Sequence, residues 1–293
     1  MNHSNHHKIG AQGFTLVEVL LAIAISGLVI AALYSFYLMQ KKTGETQQGV
    51  AVMQQDLRGL MQTMAQDIRM AGYAPVDASH FGFQDVTVGS LPFYRNNGGG
   101  PDDAFTDAAH IAFTSDMNDV AFTGNPADKS NGEVDYAPDQ NQQEQFAYRF
   151  RQQGVPCGDG APRPRGCVQR YLPNTAAGWQ NIAVDIDGLD FLYTLRNGNK
   201  TPDPAATNDL RNIVSVTVTI LTKSPNREPG YKNRECYRSA GFYDSNPNPA
   251  PCPTDFNGGN PTNNPPPFNN GNPYNDNIHR QMLTFTVECR NQR

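Results

Sequence analysis

Glu18 is the one charged side chain in the long apolar run from Phe14 to Leu38, and Gly13 stands directly before that run. A carboxylate placed there costs about 2.5–3.5 kcal/mol or more to bury in lipid, which marks it as a functional group. Elsewhere the chemistry is sparse. Asp102, Asp103 and Asp107 form one acidic loop, and Asp116, Asn118 and Asp119 form another. Asp185-Ile186-Asp187-Gly188 has a fragment of an EF-hand's spacing but lacks the later glutamate. Calcium is the metal such side chains would hold, at Asp185 and Asp187 or at Asp116 and Asp119. Asx turns use the same residues more simply, so no cofactor is expected. His80, His110 and His279 are scattered beyond the long apolar run, and no GxSxG nucleophile motif occurs. Nothing here assembles a catalytic constellation, and an enzyme is not expected.

The five cysteines lie in the C-terminal half and have neither zinc-finger nor CxxCH spacing. Disulfides in an oxidising compartment are the expected use. Cys157 and Cys167 flank the turn-rich GDGAPRPRG, and Cys236 and Cys252 flank a second loop. Closing a loop of that size stabilises by roughly 3 kcal/mol in the chain-entropy model. Cys289 is then unassigned, either free and buried or exchanging with one of the others, so the connectivity stays open. The net charge of −5 is mild, and no basic stripe offers a phosphate footprint. Nucleic acid is therefore not an expected partner.

Those groups need elements to position them. Phe14 to Leu38 exceeds the roughly 20 residues that cross a bilayer as a helix. Beyond it Val50, Met53, Leu57, Leu60, Met61, Met64 and Ile68 recur at steps of three and four. That is one apolar helical stripe, with Gln55, Arg58, Gln62 and Gln66 on other faces. Gly72 suits a C-terminal cap and Pro75 prevents resumption, so one helix is expected from about Phe14 to Ala71. After Tyr73 the period becomes that of strands: His110–Thr114, Val120–Phe122, Gln145–Phe150 and Cys167–Leu172. Ile182 to Leu195 reads as strand around a turn at Asp187-Gly188. Ile213–Leu221, rich in β-branched residues, and Met282–Glu288 follow. A helix followed by a run of strands argues an α+β fold with an antiparallel sheet. Segments 96–107 and 244–277 are Asn, Asp, Gly and Pro-rich and read as loop insertions.

Gly13-Phe14-Thr15-Leu16-Val17-Glu18 before an apolar helix resembles the processing site of type IV prepilins and pseudopilins. Asp67-Ile68-Arg69-Met70-Ala71-Gly72-Tyr73, Leu189 to Tyr193 and the 213–221 strand are similar to PilW-type minor pilins and, more loosely, to J-type minor pseudopilins of type II secretion. The resemblance implies that residues 1–13 are a leader cut off after Gly13 by a prepilin peptidase, which N-methylates Phe14. It implies a membrane and filament-core helix at 14–38, its amphipathic continuation at 39–72, and an extracytoplasmic β-rich head at 73–293. Thr15, Leu16, Val17 and Glu18 would then serve assembly. Counting positive charge alone misleads here, because Lys8 precedes the helix while Lys41 and Lys42 follow it. The resemblance instead puts the leader in the cytoplasm, and the cysteines agree. It implies a minor pilin that primes or caps a type IV pilus, with a J-type pseudopilin or a pilus-tip adhesin as alternatives. The implied partners are membrane lipid before assembly, the inner-membrane assembly platform, the major pilin and other minor pilins. The implied location is the bacterial inner membrane, with the head in the periplasm, and then a cell-surface pilus or periplasmic pseudopilus.

Overall fold

A single helix, α1 (Leu16–Met70), takes up 55 residues of the chain. The computed structural model describes residues 14–73, 82–83, 109–115, 145–151, 166–171, 179–207, 209–228, 230–233, 235–245 and 276–289. By its internal contacts the chain divides into two units, Met1–Gln48 and Gly49–Arg293. In the first, every described residue up to Glu45 is exposed, although the sequence there is apolar. Three hydroxyls of the helix are met by its own backbone. Ser35, Thr43 and Thr46 donate to the carbonyls of Ala31, Met39 and Lys42, each four residues back, at 3.0, 3.0 and 3.2 Å. Such internal satisfaction is what a segment in hydrocarbon requires.

In the second unit α1 turns one face inward. Gly49, Met53, Leu57, Leu60, Met64 and Ile68 are buried, while Val50 and Met61 sit half-buried on the flank of the stripe. Gly49 permits a close approach: a Cβ there would stand 3.3 Å from the Ser224 hydroxyl. The helix ends where expected. Gly72 has φ of 73°, a left-handed conformation that glycine adopts without steric cost. The Tyr73 N–H donates to the Met70 carbonyl at 2.9 Å, and the Gly72 N–H reaches Thr114 at 3.0 Å.

The strands form two antiparallel sheets. The first joins β1 (Gly82–Phe83), β2 (His110–Thr114), β3 (Gln145–Arg151), β4 (Cys167–Tyr171) and β5 (Trp179–Val184) in chain order. The second contains β6 (Ile186–Leu195), β7 (Lys200–Thr201), β8 (Ile213–Arg227) and β9 (Ile278–Glu288), ordered β7-β6-β8-β9. A short helix, α2 (Ala240–Ser245), precedes β9. The inner faces of both sheets and the α1 stripe share one core, which includes Phe113, Phe146, Phe191 and Tyr193. Phe113 and Phe146 stack with ring centroids 5.2 Å apart. The long helix on antiparallel sheets is the α+β fold expected of a pilin-like chain.

Several boundaries differ from expectation. The chain breaks at Asp185 rather than at Asp187-Gly188, which lie inside β6 beside an irregularity in its pairing with β8. Asp185 adopts φ of 60°, a region short polar side chains tolerate. Its carbonyl accepts the Lys223 N–H at 2.9 Å and the Thr222 hydroxyl at 3.1 Å, so the break is held by β8. β8 outruns its expected end at Leu221, and β9 starts four residues earlier than Met282. α2 takes up Asp244, the first residue of the second insertion. The expected strand 120–122, the insertion 96–107 and residues 246–275 lie outside the described residues.

One polar cluster ties α1 to the first sheet. Asp67 accepts from the Tyr148 hydroxyl and pairs with Arg170 at 2.8 Å. Burial pushes the Asp67 carboxyl above its ordinary range, opposed by the Tyr148 bond and the Arg170 charge. Removing one partner of a largely buried pair strands the other. We expect Arg170→Ala to lower stability by about 3 kcal/mol near pH 7. A carboxyl whose folded pKa is raised favours the fold at low pH and loses that contribution as pH rises through the raised value. The deficit of Arg170→Ala should therefore shrink as Asp67 protonates below that value. Urea titrations of both chains in micelles at pH 7 and in mild acid check this.

Candidate functional site

The residues that could do chemistry at the amino end are organised by α1's first turn. The Val19 N–H donates to the Thr15 carbonyl at 3.3 Å, which makes Thr15 the cap. The Thr15 hydroxyl accepts the Glu18 N–H at 3.3 Å. Glu18 returns the favour, its Oε2 accepting the Thr15 N–H at 2.9 Å and the Thr15 hydroxyl at 3.0 Å. This reciprocal arrangement is a capping box, worth about 1 kcal/mol to a helix start. Its signature, Thr-x-x-Glu, is legible in the sequence at Thr15 to Glu18. Phe14, 88% exposed, immediately precedes the cap. The carboxylate is thus drawn back toward the end of the chain where a new α-amino group would appear. Gly13 lies outside the described residues.

The acidic candidates farther along have other employment. Asp187 holds Lys223 at 2.5 Å on one oxygen and Arg280 at 2.7 Å on the other. Arg280, nearly fully buried, also clasps Asp276 with two bonds of 2.7 Å. A carboxylate committed to two cations is a poor calcium ligand, and sequence spacing could not reveal cations 36 and 93 residues away. Asp185 serves the strand break described above. Asp116 and Asp119 lie outside the described residues. Among the described residues no three His, Cys, Asp or Glu side chains gather as a metal site would need. Of the histidines, His279 meets Glu228 at 2.6 Å and stacks on Tyr231 at 3.8 Å, while the carbonyl of His110 accepts the Tyr193 hydroxyl at 3.0 Å.

Cys167 and Cys236 are disulfide-bonded. Cys157 and Cys252, their expected partners, lie outside the described residues. Cys289 is a free, buried thiol, so of the two alternatives left open for it the first holds.

Comparison with protein families fits this geometry. The prokaryotic N-terminal methylation motif matches residues 10–34, covering the capped start of α1. The family described as prepilin peptidase-dependent protein B matches residues 46–234. The chain belongs to that family. No curated protein and no solved structure matches it. It is a pilin-like protein dependent on prepilin peptidase, a structural protein rather than an enzyme. Its N-terminal apolar helix with a methylation motif is that of an inner-membrane-anchored pilin-like chain.

In this pilin-like chain burial pushes the Cys289 thiol up to about 12. At pH 8 only about one thiol in ten thousand would then be thiolate, the reactive form. We expect iodoacetamide to leave Cys289 unlabelled in the native protein. After unfolding without reductant it should be labelled, with Cys167 and Cys236 protected, as peptide mapping would read.

Proposed function

We propose that this chain is a minor pilin of the PilW type, held in the bacterial inner membrane by α1 and then built into a type IV pilus that it primes or caps. The observation that carries this reading is the first unit: a helix exposed from Phe14 to Glu45 and apolar to Leu38, with Glu18 drawn to its capped start. Such a surface needs lipid first and other helices later. The head contributes by its size and long loops, which suit a subunit present in few copies rather than one repeated densely along a thin fibre.

Cleavage after Gly13 makes Phe14 the first residue, with N-methylation on its new amino group. Glu18 then sits about one turn inside the membrane face. In a bundle of side-by-side helices, a neighbour's N-terminal ammonium can meet this carboxylate, and low dielectric strengthens the pair. The capping box supports this role by presenting Glu18 at the amino end. The second unit, on the periplasmic side, would be closed by bridges Cys157–Cys167 and Cys236–Cys252. The oxidised state of Cys167 and Cys236 supports that pairing.

Two measurements test the reading. N-terminal analysis of membrane-derived protein should find N-methyl-Phe14 at the start; a mature chain retaining His6 and His7 would overturn it. Glu18→Ala should still be inserted and cleaved, because the peptidase reads the glycine. Its recovery in sheared fibres should fall about tenfold at matched membrane levels. Equal recovery of the two chains would remove the docking role. Loss of twitching with intact exoprotein secretion in a deletion strain supports the pilus; the reverse pattern assigns the chain to a type II pseudopilus.

A further inference from the structure

Lys41 and Lys42 are the only Lys or Arg side chains between Lys8 and Arg58, and the docking role of Glu18 makes no use of them. Cleavage after Gly13 would remove Lys8. The basic side chains nearest the apolar run then stand at its far end, where positive charge does not favour insertion. Their place along α1 suits a different purpose. At a rise of 1.5 Å per residue, about 20 residues of helix cross about 30 Å of hydrocarbon. Counted from Leu16, that length ends at Phe36. Tyr34 and Tyr37, both exposed, straddle this level, where amphipathic aromatic rings gather at a membrane surface. Lys41 and Lys42 follow about 8 and 9 Å beyond Phe36, at the depth of the headgroups.

The helix aims these groups. Its Cα–Cβ bonds tilt toward the amino end, so both lysine side chains lean back toward the membrane. Tyr34, Tyr37 and Lys41 are spaced three and four residues apart and share one face of α1. Lys42 stands about 100° farther round and widens the basic collar. Both lysines are exposed. The acid beside them competes weakly. Glu45 is the sole carboxylate between Glu18 and Asp56, and its Oε1 lies 3.9 Å from the Lys41 Nζ. With side chains 60% and 62% exposed, such a pair contributes little. Two ammonium groups against one carboxylate leave this level of the helix positive.

We propose that Lys41 and Lys42, with the Tyr37 hydroxyl beside them, bind the phosphate of an anionic phospholipid in the leaflet opposite Phe14. The inference rests on the membrane reading of α1 above. The lysines supply charge, and Tyr37, four residues before Lys41, supplies a hydroxyl donor nearer the acyl chains. The apolar surface that α1 exposes up to Leu38 takes the acyl chains themselves. That continuity favours a lipid over a soluble anion, which would gain the charge and nothing else. Selectivity follows from charge. A zwitterionic headgroup carries its own cation, which the lysines repel, whereas a phosphate esterified to a neutral alcohol does not. The grip would hold the processed chain in the bilayer and be given up as α1 leaves lipid.

The test places the full chain in nanodiscs of equal phosphatidylglycerol and phosphatidylcholine. Lipids that stay on the protein after release into mild detergent are counted by native mass spectrometry. The parent chain should retain phosphatidylglycerol over phosphatidylcholine by about fivefold or more, the effect of one lysine at a charged surface. Lys41→Gln with Lys42→Gln should bring that ratio to about one. Lys41→Arg with Lys42→Arg should keep it, and Glu45→Gln should raise it. Equal retention by the parent overturns the proposal, as does an unchanged ratio in the glutamine pair. Loss of the preference in millimolar inorganic phosphate also overturns it, by assigning the lysines to the free anion. If the glutamine pair fails to insert, Glu45→Gln decides, and a ratio no higher than the parent's overturns the site. Carbonate extraction reads the membrane anchor separately. A parent chain that resists carbonate but shows no lipid preference loses the headgroup site and keeps the anchor.

Discussion

The constraint on which everything else depends is a helix that satisfies its own backbone but not its own surface. From residue 14 to residue 45 every position is exposed, and from Phe14 to Leu38 the only charge is Glu18. At roughly 25 cal/mol per Å² of apolar surface, water is the least favourable environment available to such a segment. Lipid or neighbouring helices must supply the missing contacts. The first unit is therefore built for a partner, and Glu18, the one charge between Phe14 and Leu38, sits at its capped start.

The second unit solves the same problem internally. There α1 narrows its apolar surface to one stripe, and two sheets close over it. Polar groups inside that core are tolerated because they come matched. Asp67 is shared by Tyr148 and Arg170, and Asp187 by Lys223 and Arg280. Asp190 is also buried enough to push its carboxyl upward, against bonds from Ser239 and the Gly241 N–H at the start of α2. Each cluster joins elements distant in sequence, so each specifies an arrangement more than it adds net stability.

Both ends of the β9 ladder are tied by specific bonds. Arg280 and Asn233 anchor the start of β9, where the chain returns from its long Asn- and Pro-rich segment: Asn233 bonds to Asp276 and Ile278. Cys289 bonds to Val214 at the far end.

The sequence by itself determined what is local or periodic. A 25-residue, largely apolar run from Phe14 to Leu38, the stripe from Val50 to Ile68 and the glycine at 72 dictate a helix, its inward face and its end, because each signal lies within a turn or two of its effect. Alternation and β-branched composition likewise located strands at 110–114, 145–150, 167–172 and 213–221, within a few residues of their observed bounds. The tertiary structure alone decided the rest. Two sheets rather than one follow from the left-handed Asp185, whose carbonyl is held by β8 nearly forty residues on. Asp187 resembled a calcium ligand by spacing and became an ion-pair partner because folding delivered Lys223 and Arg280 to it. β9 reads as an ordinary amphipathic strand, and only sheet order places it last beside β8 among the described residues. Charge pairing and sheet order depend on which distant residues meet, and a period of two or 3.6 carries no information about that.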